Sequence, residues 1–354
     1  MTAQDGAGRT GRRLQIGIKV NYSPASFGET VAFVTEADAM GVDAVWTSEA
    51  YGPDALTPLA YFAARTTNIR LGTGIMQMPG RTPAAAAMSA LTLDGMSSGR
   101  LILGLGVSGP QVVEGWHGQP FGKPLGRTRE YIGLLRQMLK REGPVEHQGE
   151  HYQIPYRGEG ATGLGKPLKL SMTPVRDRVP LYVAAIGPKN VALAAEIADG
   201  WLPTFYSPDQ EHLFADSLAA GFAASGRDRE SFEIAASAWM VVGDDVEACR
   251  DAVRPWLALH IGGMGARGRN FYTTLACRYG YEQEALHVQD LYLDNKKREA
   301  AAAVPSALVD EVSLVGPLPR VLDRLEAWKA SGVGSLALRT TDRAALAAVR
   351  EAAG

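Results

Sequence analysis

Short apolar runs and amphipathic stretches alternate along almost the whole chain. The apolar runs have the length of buried strands, and the stretches between them carry apolar residues at helical spacing. The predicted strands are 14–20, 43–47, 69–75, 100–106, 179–185, 200–205, 232–242 and 334–340. The predicted helices are 28–40, 56–66, 83–96, 127–141, 189–198, 208–224, 244–259, 317–331 and 342–352. The pattern is therefore one of repeated strand–helix units.

Eight strands, each followed by a helix, predict an α/β fold of the (β/α)8 TIM-barrel type. An open, doubly wound sheet is the alternative, but eight regular units ending in a helix favour closure. The residues beyond a minimal barrel fall in three predicted insertions, 108–126, 142–178 and 260–316, and the second contains a predicted hairpin, PVEHQGEHYQI. We expect residues 1–13 to form a disordered tail and residues 14–354 to form one barrel domain.

Composition and charge narrow the classes of function. The chain has 354 residues and a formal net charge of −2, so there is no electrostatic case for binding nucleic acid or an anionic membrane. No run of about eighteen apolar residues is present, which argues against a membrane span. The two cysteines, Cys249 and Cys277, do not suggest a disulfide scaffold, and with no signal peptide at the start they predict a cytoplasmic protein.

Polar residues follow the second predicted strand directly, in the sequence AVWTSEAYGPDALTPL of residues 44–59. In a (β/α)8 barrel the catalytic groups lie at the carboxyl ends of the strands, which places Ser48 and Glu49 at the barrel mouth. Glu49 is therefore a candidate functional carboxylate. An alternative is that it caps the next helix or pairs with an arginine at the rim.

The segment Ile186-Gly187-Pro188-Lys189 turns the fifth predicted strand into a helix. Glycine permits close backbone approach, proline suits the first helical turn, and lysine adds a positive charge. Free amides at a helix N-terminus, together with the helix dipole, bind phosphate. The turn is thus either a phosphate site or an ordinary strand–helix connection.

Several other motifs are incomplete. Gly104, Gly106 and Gly109 have the G-x-G-x-x-G spacing, but a helix stands where a dinucleotide fold needs a second strand ending in an acidic residue. The six histidines lack the spacing of metal ligands, so we expect no metal site, and no G-x-S-x-G motif occurs. A bound organic cofactor with a phosphate group then best explains a candidate phosphate site at the barrel mouth.

Four segments together resemble one family. They are GVDAVWTSEAYGPDALTPLAYFAARTTNIRLGTGI, LTLDGMSSGRLILGLGVSGPQVVEGWHG, PLYVAAIGPKNVALAAEIADGWLPTF and LVDEVSLVGPLPRVLDRLEAWKASGV. In this order, over roughly residues 14 to 340, the chain resembles the luciferase-like monooxygenase superfamily, and within it the coenzyme F420-dependent oxidoreductases of actinobacterial and archaeal type.

The resemblance implies a barrel of the bacterial luciferase-like type with the deazaflavin lying across its mouth. It implies a non-prolyl cis peptide at Gly74-Ile75 behind the ring, and a loop along the cofactor at Val107, Ser108 and Gly109. Ser48 and Glu49 match positions that line the ring, and the turn from Ile186 to Lys189 matches the phosphate site. We also expect a homodimer.

One branch of the family fits less well. Its sugar-phosphate dehydrogenases carry Asp-His after the second strand, where this chain has Glu49-Ala50, and a glutamate in the loop that here reads Ser108-Gly109-Pro110. The segment SEAYGPDA looks instead like the reductase branch that includes methylenetetrahydromethanopterin reductases. We therefore expect reduced F420 to donate a hydride to an activated C=C, C=N or C=O group of a small-molecule or peptide-like organic substrate. An FMN-dependent monooxygenase and a catalytically silent cofactor-binding protein are the alternatives.

The reacting groups follow from this interpretation. Glu49 and Tyr51 are the candidates to supply the proton that accompanies hydride transfer. Trp116, His117, Phe205 and Tyr206 are the candidate substrate-binding residues, as aromatic walls over the cofactor.

Overall fold

The computed structural model describes residues 13–354, and in them a closed parallel barrel is surrounded by helices. In chain order the strands are β1 (Gln15–Lys19), β2 (Ala44–Thr47), β3 (Arg70–Thr73), β4 (Met76–Gln77), β5 (Leu101–Gly106), β6 (His147–Gln148), β7 (Gln153–Ile154), β8 (Leu181–Ala184), β9 (Gly200–Leu202), β10 (Glu233–Val242), β11 (Ser313–Gly316) and β12 (Ser335–Arg339). The strand order around the barrel is β1-β2-β3-β5-β8-β9-β10-β12, and pairing of β12 with β1 closes the ring. The predicted (β/α)8 barrel is confirmed.

Helices follow the barrel strands and cover their outer faces. They are α1 (Phe27–Ala39), α2 (Thr57–Ala63), α3 (Pro83–Met96), α4 (Pro110–Gly115), α5 (Pro124–Lys140), α6 (Pro188–Ile197), α7 (His212–Ser225), α8 (Val246–Ala258), α9 (Phe271–Arg278), α10 (Glu282–Leu293), α11 (Lys297–Ala302), α12 (Ser306–Val312), α13 (Leu318–Ala330) and α14 (Arg343–Ala352). No helix in this part of the chain is long and apolar enough to cross a membrane.

Alternation along the strands divides the core into two layers. On β2, Val45 packs in the large cluster between barrel and helices, whereas Ala44 and Trp46 belong to a small cluster inside the barrel. Trp46 fits there because Gly72 on the neighbouring strand has no side chain: a Cβ at Gly72 would lie 2.3 Å from the indole ring. Inward-facing side chains therefore fill the barrel up to its mouth.

The long segments outside the repeated units have structure of their own. The hairpin predicted within 142–178 is formed by β6 and β7. The segment 260–316 contains α9 to α12 and also β11, a strand that the sequence pattern did not predict. Because residues 239–242 of β10 extend beyond β9, β11 pairs with that projecting end. Of the predicted tail, residues 1–12 lie outside the described range, and Arg13 forms an ion pair with Asp43 at 2.5 Å.

Candidate active site

Glu49 lies at the barrel mouth, just beyond the end of β2, with its side chain only 8% exposed. One carboxylate oxygen accepts hydrogen bonds from the backbone N–H of Gln77 at 2.7 Å and from Arg81 Nη1 at 2.6 Å. The other accepts from the backbone N–H of Ala55 at 2.9 Å. The carboxylate thus links Ala55, Gln77 and Arg81 at the rim. Its contact with Arg81 agrees with the alternative prediction that Glu49 pairs with an arginine there.

The segment between β3 and β4 forms a bulge that adjoins β2 and β5. Its Gly74–Ile75 peptide bond is cis, which agrees with the sequence-based prediction. The N–H of Gly74 donates to Thr47 O at 2.6 Å, and Ile75 O accepts from the N–H of Glu49 at 3.1 Å. The Ile75 side chain rests on Gly106, where a Cβ would lie 2.8 Å from Ile75 Cδ1. Glycine at this position of β5 is what lets Ile75 approach so closely.

The loop after β5 begins the next wall of the mouth. Val107, Ser108 and Gly109 are half-buried, and Ser108 adopts a left-handed conformation with φ of 60°. Gly109 then precedes the first turn of α4. The predicted cofactor loop therefore lies beside the bulge, because β4 pairs with the end of β5.

The turn after β8 has the features of an anion site. Gly187 is the N-cap residue of α6, and because it has no side chain it makes no capping hydrogen bond to the first amides of the helix. Within residues 13–354, the N–H groups of Gly187 and Lys189 have no acceptor, and the buried side-chain oxygen of Asn190 has no partner. Two free amides and an exposed lysine are groups that fit a phosphate, whereas the unpartnered Asn190 oxygen is itself an acceptor.

A cluster of three basic residues at the mouth was not identified from sequence. Lys19 and Arg339 end the adjacent strands β1 and β12, and His260 lies in a short π-helix, Leu259–Gly263, after α8. Burial and the nearby charge of Arg339 lower the pKa of Lys19, and burial lowers the pKa of Arg339. In the sequence, Lys19 and Arg339 could have been identified as charged residues at the carboxyl ends of otherwise apolar strands.

His260 sits in an aromatic surround. Its ring centroid is 4.5 Å from that of Trp256, 5.0 Å from that of Tyr272 and 5.7 Å from that of Phe205. Burial is the main cause that lowers the pKa of His260 to about 4, with smaller contributions from Arg339 and Lys19. Nδ1 lies 2.8 Å from Trp256 O and must donate to that carbonyl, so Nε2 of the neutral ring is a hydrogen-bond acceptor.

The residues predicted to bind substrate separate in the structure. Phe205 joins the aromatic surround of His260. Tyr206 points elsewhere: it is 1% exposed and packs against Phe214 and Trp328, among the outer helices. Phe205 and Tyr206 separate because they are consecutive residues, and consecutive side chains point to different sides of the backbone. Tyr206 is therefore not positioned to contact a ligand at the mouth.

The other predicted residues lie in loops near the rim. Trp116 is 67% exposed at the end of α4, and the ring of His117 rests against Gly80. Tyr51 is 65% exposed. Burial, with a smaller contribution from Tyr51, raises the pKa of Tyr292, which places these two phenols near each other. In the described part of the chain, no group of three or more histidine, cysteine or acidic residues could hold a metal ion.

Comparison with known proteins decides the family. A family model described as luciferase-like monooxygenase matches residues 7–335.

The chain belongs to the luciferase-like monooxygenase family.

Several known proteins are similar to this chain along most of its length. A Mycobacterium tuberculosis protein, provisionally named a coenzyme F420-dependent oxidoreductase, is 49% identical over 326 residues, covering 90% of this chain and 93% of the relative. The 5,10-methylenetetrahydromethanopterin reductase of Archaeoglobus fulgidus is 28% identical, covering 85% of this chain and 86% of its own. The structure of a coenzyme F420-dependent tetrahydromethanopterin reductase from Methanopyrus kandleri matches with a TM-score of 0.76 at 22% identity, covering 96% of this chain and 98% of the other.

Proposed function

We propose that this luciferase-like protein is a coenzyme F420-dependent oxidoreductase that uses reduced F420 to reduce an activated C=C, C=N or C=O group of a small organic molecule. The observation that carries the proposal is the position of Lys19, whose Nζ lies 3.6 Å from where a Cβ on Gly74 would be. A basic side chain thus stands beside the bulge against which, by the family resemblance, a deazaflavin ring would lie. The name of the Mycobacterium tuberculosis relative supports the choice of cofactor.

In this proposal the chain binds F420 at two places. The turn of Ile186, Gly187, Pro188 and Lys189 holds the phosphate through free amides and a positive charge. Ser48, the bulge at Gly74 and Ile75, and the loop from Val107 to Gly109 form the surface against which the ring lies. Glu49 acts as a positioning residue, because its three hydrogen bonds hold the bulge against the end of β2.

When bound in its reduced form, F420 supplies a hydride, which is two electrons and one hydrogen nucleus. The other atom of the reduced double bond must then gain a proton. Lys19 is suited to provide it, because its ammonium group lies beside the bulge and has three N–H bonds, so that it can contact an anionic ligand and still donate a proton. The resulting amine regains its proton from water. Glu49 has both oxygens occupied by donors, and Tyr51 stands in the exposed part of the rim.

An anaerobic turnover assay tests the proposal. Reduced F420 is mixed with alkene, imine and carbonyl acceptors, and its oxidation is followed by absorbance, with reduced FMN as the matched control. We expect turnover with F420 and no dependence on oxygen. Lys19→Met should lower turnover by about 10²-fold or more while F420 still binds, since general acid catalysis typically contributes that much.

Two outcomes would contradict the proposal. Tight FMN binding with oxygen-consuming turnover would establish the monooxygenase alternative, which the family description also accommodates. Binding of F420 without turnover of any acceptor class would favour a catalytically silent cofactor-binding protein.

We also propose a homodimer. The neighbouring helices α2 and α3 expose the apolar side chains of Tyr61, Met88 and Met96, which suits contact with a second copy. Light scattering coupled to size exclusion tests this, and a monomer at micromolar concentration would contradict it.

A further inference from the structure

We propose that Lys19 and Arg339 bind a carboxylate of the substrate, whose apolar unsaturated part lies against Trp239, Trp256 and Tyr272. This inference rests on the proposed function and adds the chemical class of the substrate. It makes the substrate an organic acid with a conjugated or aromatic body.

The register of β1 against β12 places the side chains of Lys19 and Arg339 side by side at the barrel mouth. Ile18 of β1 pairs with Leu338 of β12, so Lys19 and Arg339 are the next neighbours along the pair. Ala337 lies in the cluster inside the barrel, and Arg339 is two residues further along β12. Because alternate residues of a strand share a face, Arg339 points to the barrel axis at its mouth. Gly17, which borders Trp46 inside the barrel, places Lys19 in the same way.

Neither cation has an anionic partner. Within residues 13–354, the Lys19 side chain makes no hydrogen bond or ion pair, and the one side-chain hydrogen bond of Arg339 is a long contact of 3.4 Å to Asn21 Oδ1. Arg81, at the same rim, pairs with Glu49 at 2.6 Å. Both unpaired side chains are half-buried, and desolvation of a charge without a partner is costly. An anionic ligand group would provide the missing partner.

Aromatic rings lie beside Arg339 on the side of β10 and α8. The Arg339 guanidinium carbon lies 5.8 Å from the ring centroid of Trp239 and 5.7 Å from that of Trp256. The two indoles are 6.2 Å apart, and the chain of rings continues through His260 to Tyr272. The neutral His260 adds a hydrogen-bond acceptor and no charge. The surface therefore has one cationic end and one flat apolar end, which complements an unsaturated acid.

The same cations could instead meet negative charge on the deazaflavin ring, since Lys19 also borders Gly74. In both cases, a substrate carboxylate or the deazaflavin ring, an anionic group contacts Lys19 and Arg339. The two cases differ in whether the substrate or the cofactor loses affinity when one of these side chains is removed, and that difference can be measured.

Isothermal titration calorimetry on the full chain loaded with oxidised F420 separates the two. The probes are cinnamate and cinnamamide, which have the same shape and differ in charge. We expect cinnamate to bind about tenfold or more tightly than the amide, as hydrogen bonds to charged groups predict. Lys19→Gln and Arg339→Gln should each reduce this preference toward equality and leave F420 affinity within about threefold.

Lys189→Gln is the matched control. It removes a positive charge at the turn after β8, and we expect it to weaken F420 while preserving the preference for cinnamate. Thermal unfolding of each variant verifies folding, and removal of an unpaired charge is not expected to lower the midpoint.

Three results would overturn the inference. One is equal binding of acid and amide by the unaltered protein, and another is a preference that survives both substitutions at Lys19 and Arg339. The third is a large loss of F420 affinity in those variants with the preference intact, which would assign the cations to the cofactor. Failure of F420 to bind at all would contradict the proposed function, and with it the role of the organic acid as hydride acceptor. The preference for the acid over the amide, measured without cofactor, would still test the cationic site separately.

Discussion

Substitution of Glu49 by glutamine separates a structural role at the rim from a role in proton transfer. The carboxylate accepts from Gln77 N, Ala55 N and Arg81 Nη1 at 2.6 to 2.9 Å. An amide in its place has one acceptor oxygen instead of two, and its NH2 group faces a donor. The substitution therefore breaks at least one hydrogen bond and leaves Arg81 without its closest partner.

The expected cost follows from burial. Removing one partner of a buried ion pair costs about 3–5 kcal/mol. Arg81 is 22% exposed and has a second, weaker ion pair with Asp54 at 3.7 Å, which reduces the penalty. We expect a loss of about 2–3 kcal/mol in the free energy of unfolding, or a fall in the thermal midpoint on the order of 5 °C.

A double-mutant cycle with Arg81→Gln isolates the pair. If Glu49 and Arg81 act as a unit, the double variant should be less destabilised than the sum of the single variants by about 1–2 kcal/mol. The assay is urea unfolding followed by circular dichroism, with turnover per F420-loaded complex measured in parallel. Turnover should fall because the bulge that carries Ile75 loses its support.

An unchanged unfolding midpoint in Glu49→Gln would refute this reasoning. Combined with a loss of about 10²–10⁴ in turnover, that result would make Glu49 the general acid after all, as the sequence alone suggested. Tyr51→Phe would then be the next variant, because Tyr51 is the other proton donor that the sequence suggested at this edge.

Three further predictions concern other parts of the molecule. Lys189→Gln should weaken F420 binding by about three- to tenfold without a change in the unfolding midpoint, because this lysine is exposed; an unchanged dissociation constant would remove it from the phosphate site. His260 has a pKa of about 4 in the fold, below its unfolded value, so its contribution to stability is present above about pH 6.5 and is lost as the pH falls toward 4. The unaltered protein should lose about 3 kcal/mol more than His260→Gln between about pH 7 and pH 4, and the exposed His287→Gln should behave like the unaltered protein. Gly104→Ala should cost about 2 kcal/mol or more, since its Cβ would lie 1.9 Å from Thr73 O. Gly133→Ala, with open space around it on α5, should instead stabilise by about 0.5–1 kcal/mol, and equal effects of the two would contradict the account of the barrel interior.

The periodicity of apolar residues in the sequence was enough to predict the (β/α)8 barrel. Strand and helix signals are local, and eight alternating units leave few closed topologies, so the order of elements could be predicted with boundaries within a few residues. β11 was missed because Ser313–Gly316 is a strand only through its pairing with the projecting end of β10. That pairing depends on how far β10 extends beyond β9, a distance that no local pattern contains.

The site shows the same division. The sequence pattern indicated which loops form the mouth, because strand ends are local features, and it indicated the turn at Gly187. The residues of the bulge followed from the family resemblance. It could not show that Glu49 is occupied by Arg81, 32 residues away, or that Tyr206 faces the outer helices. Nor could it show that Lys19 and Arg339, separated by almost the whole chain, are neighbours. The predicted closure of the barrel makes the first and last strands neighbours, but only their register and the side-chain contacts of the tertiary structure make two isolated basic residues a shared cationic surface without an anionic partner.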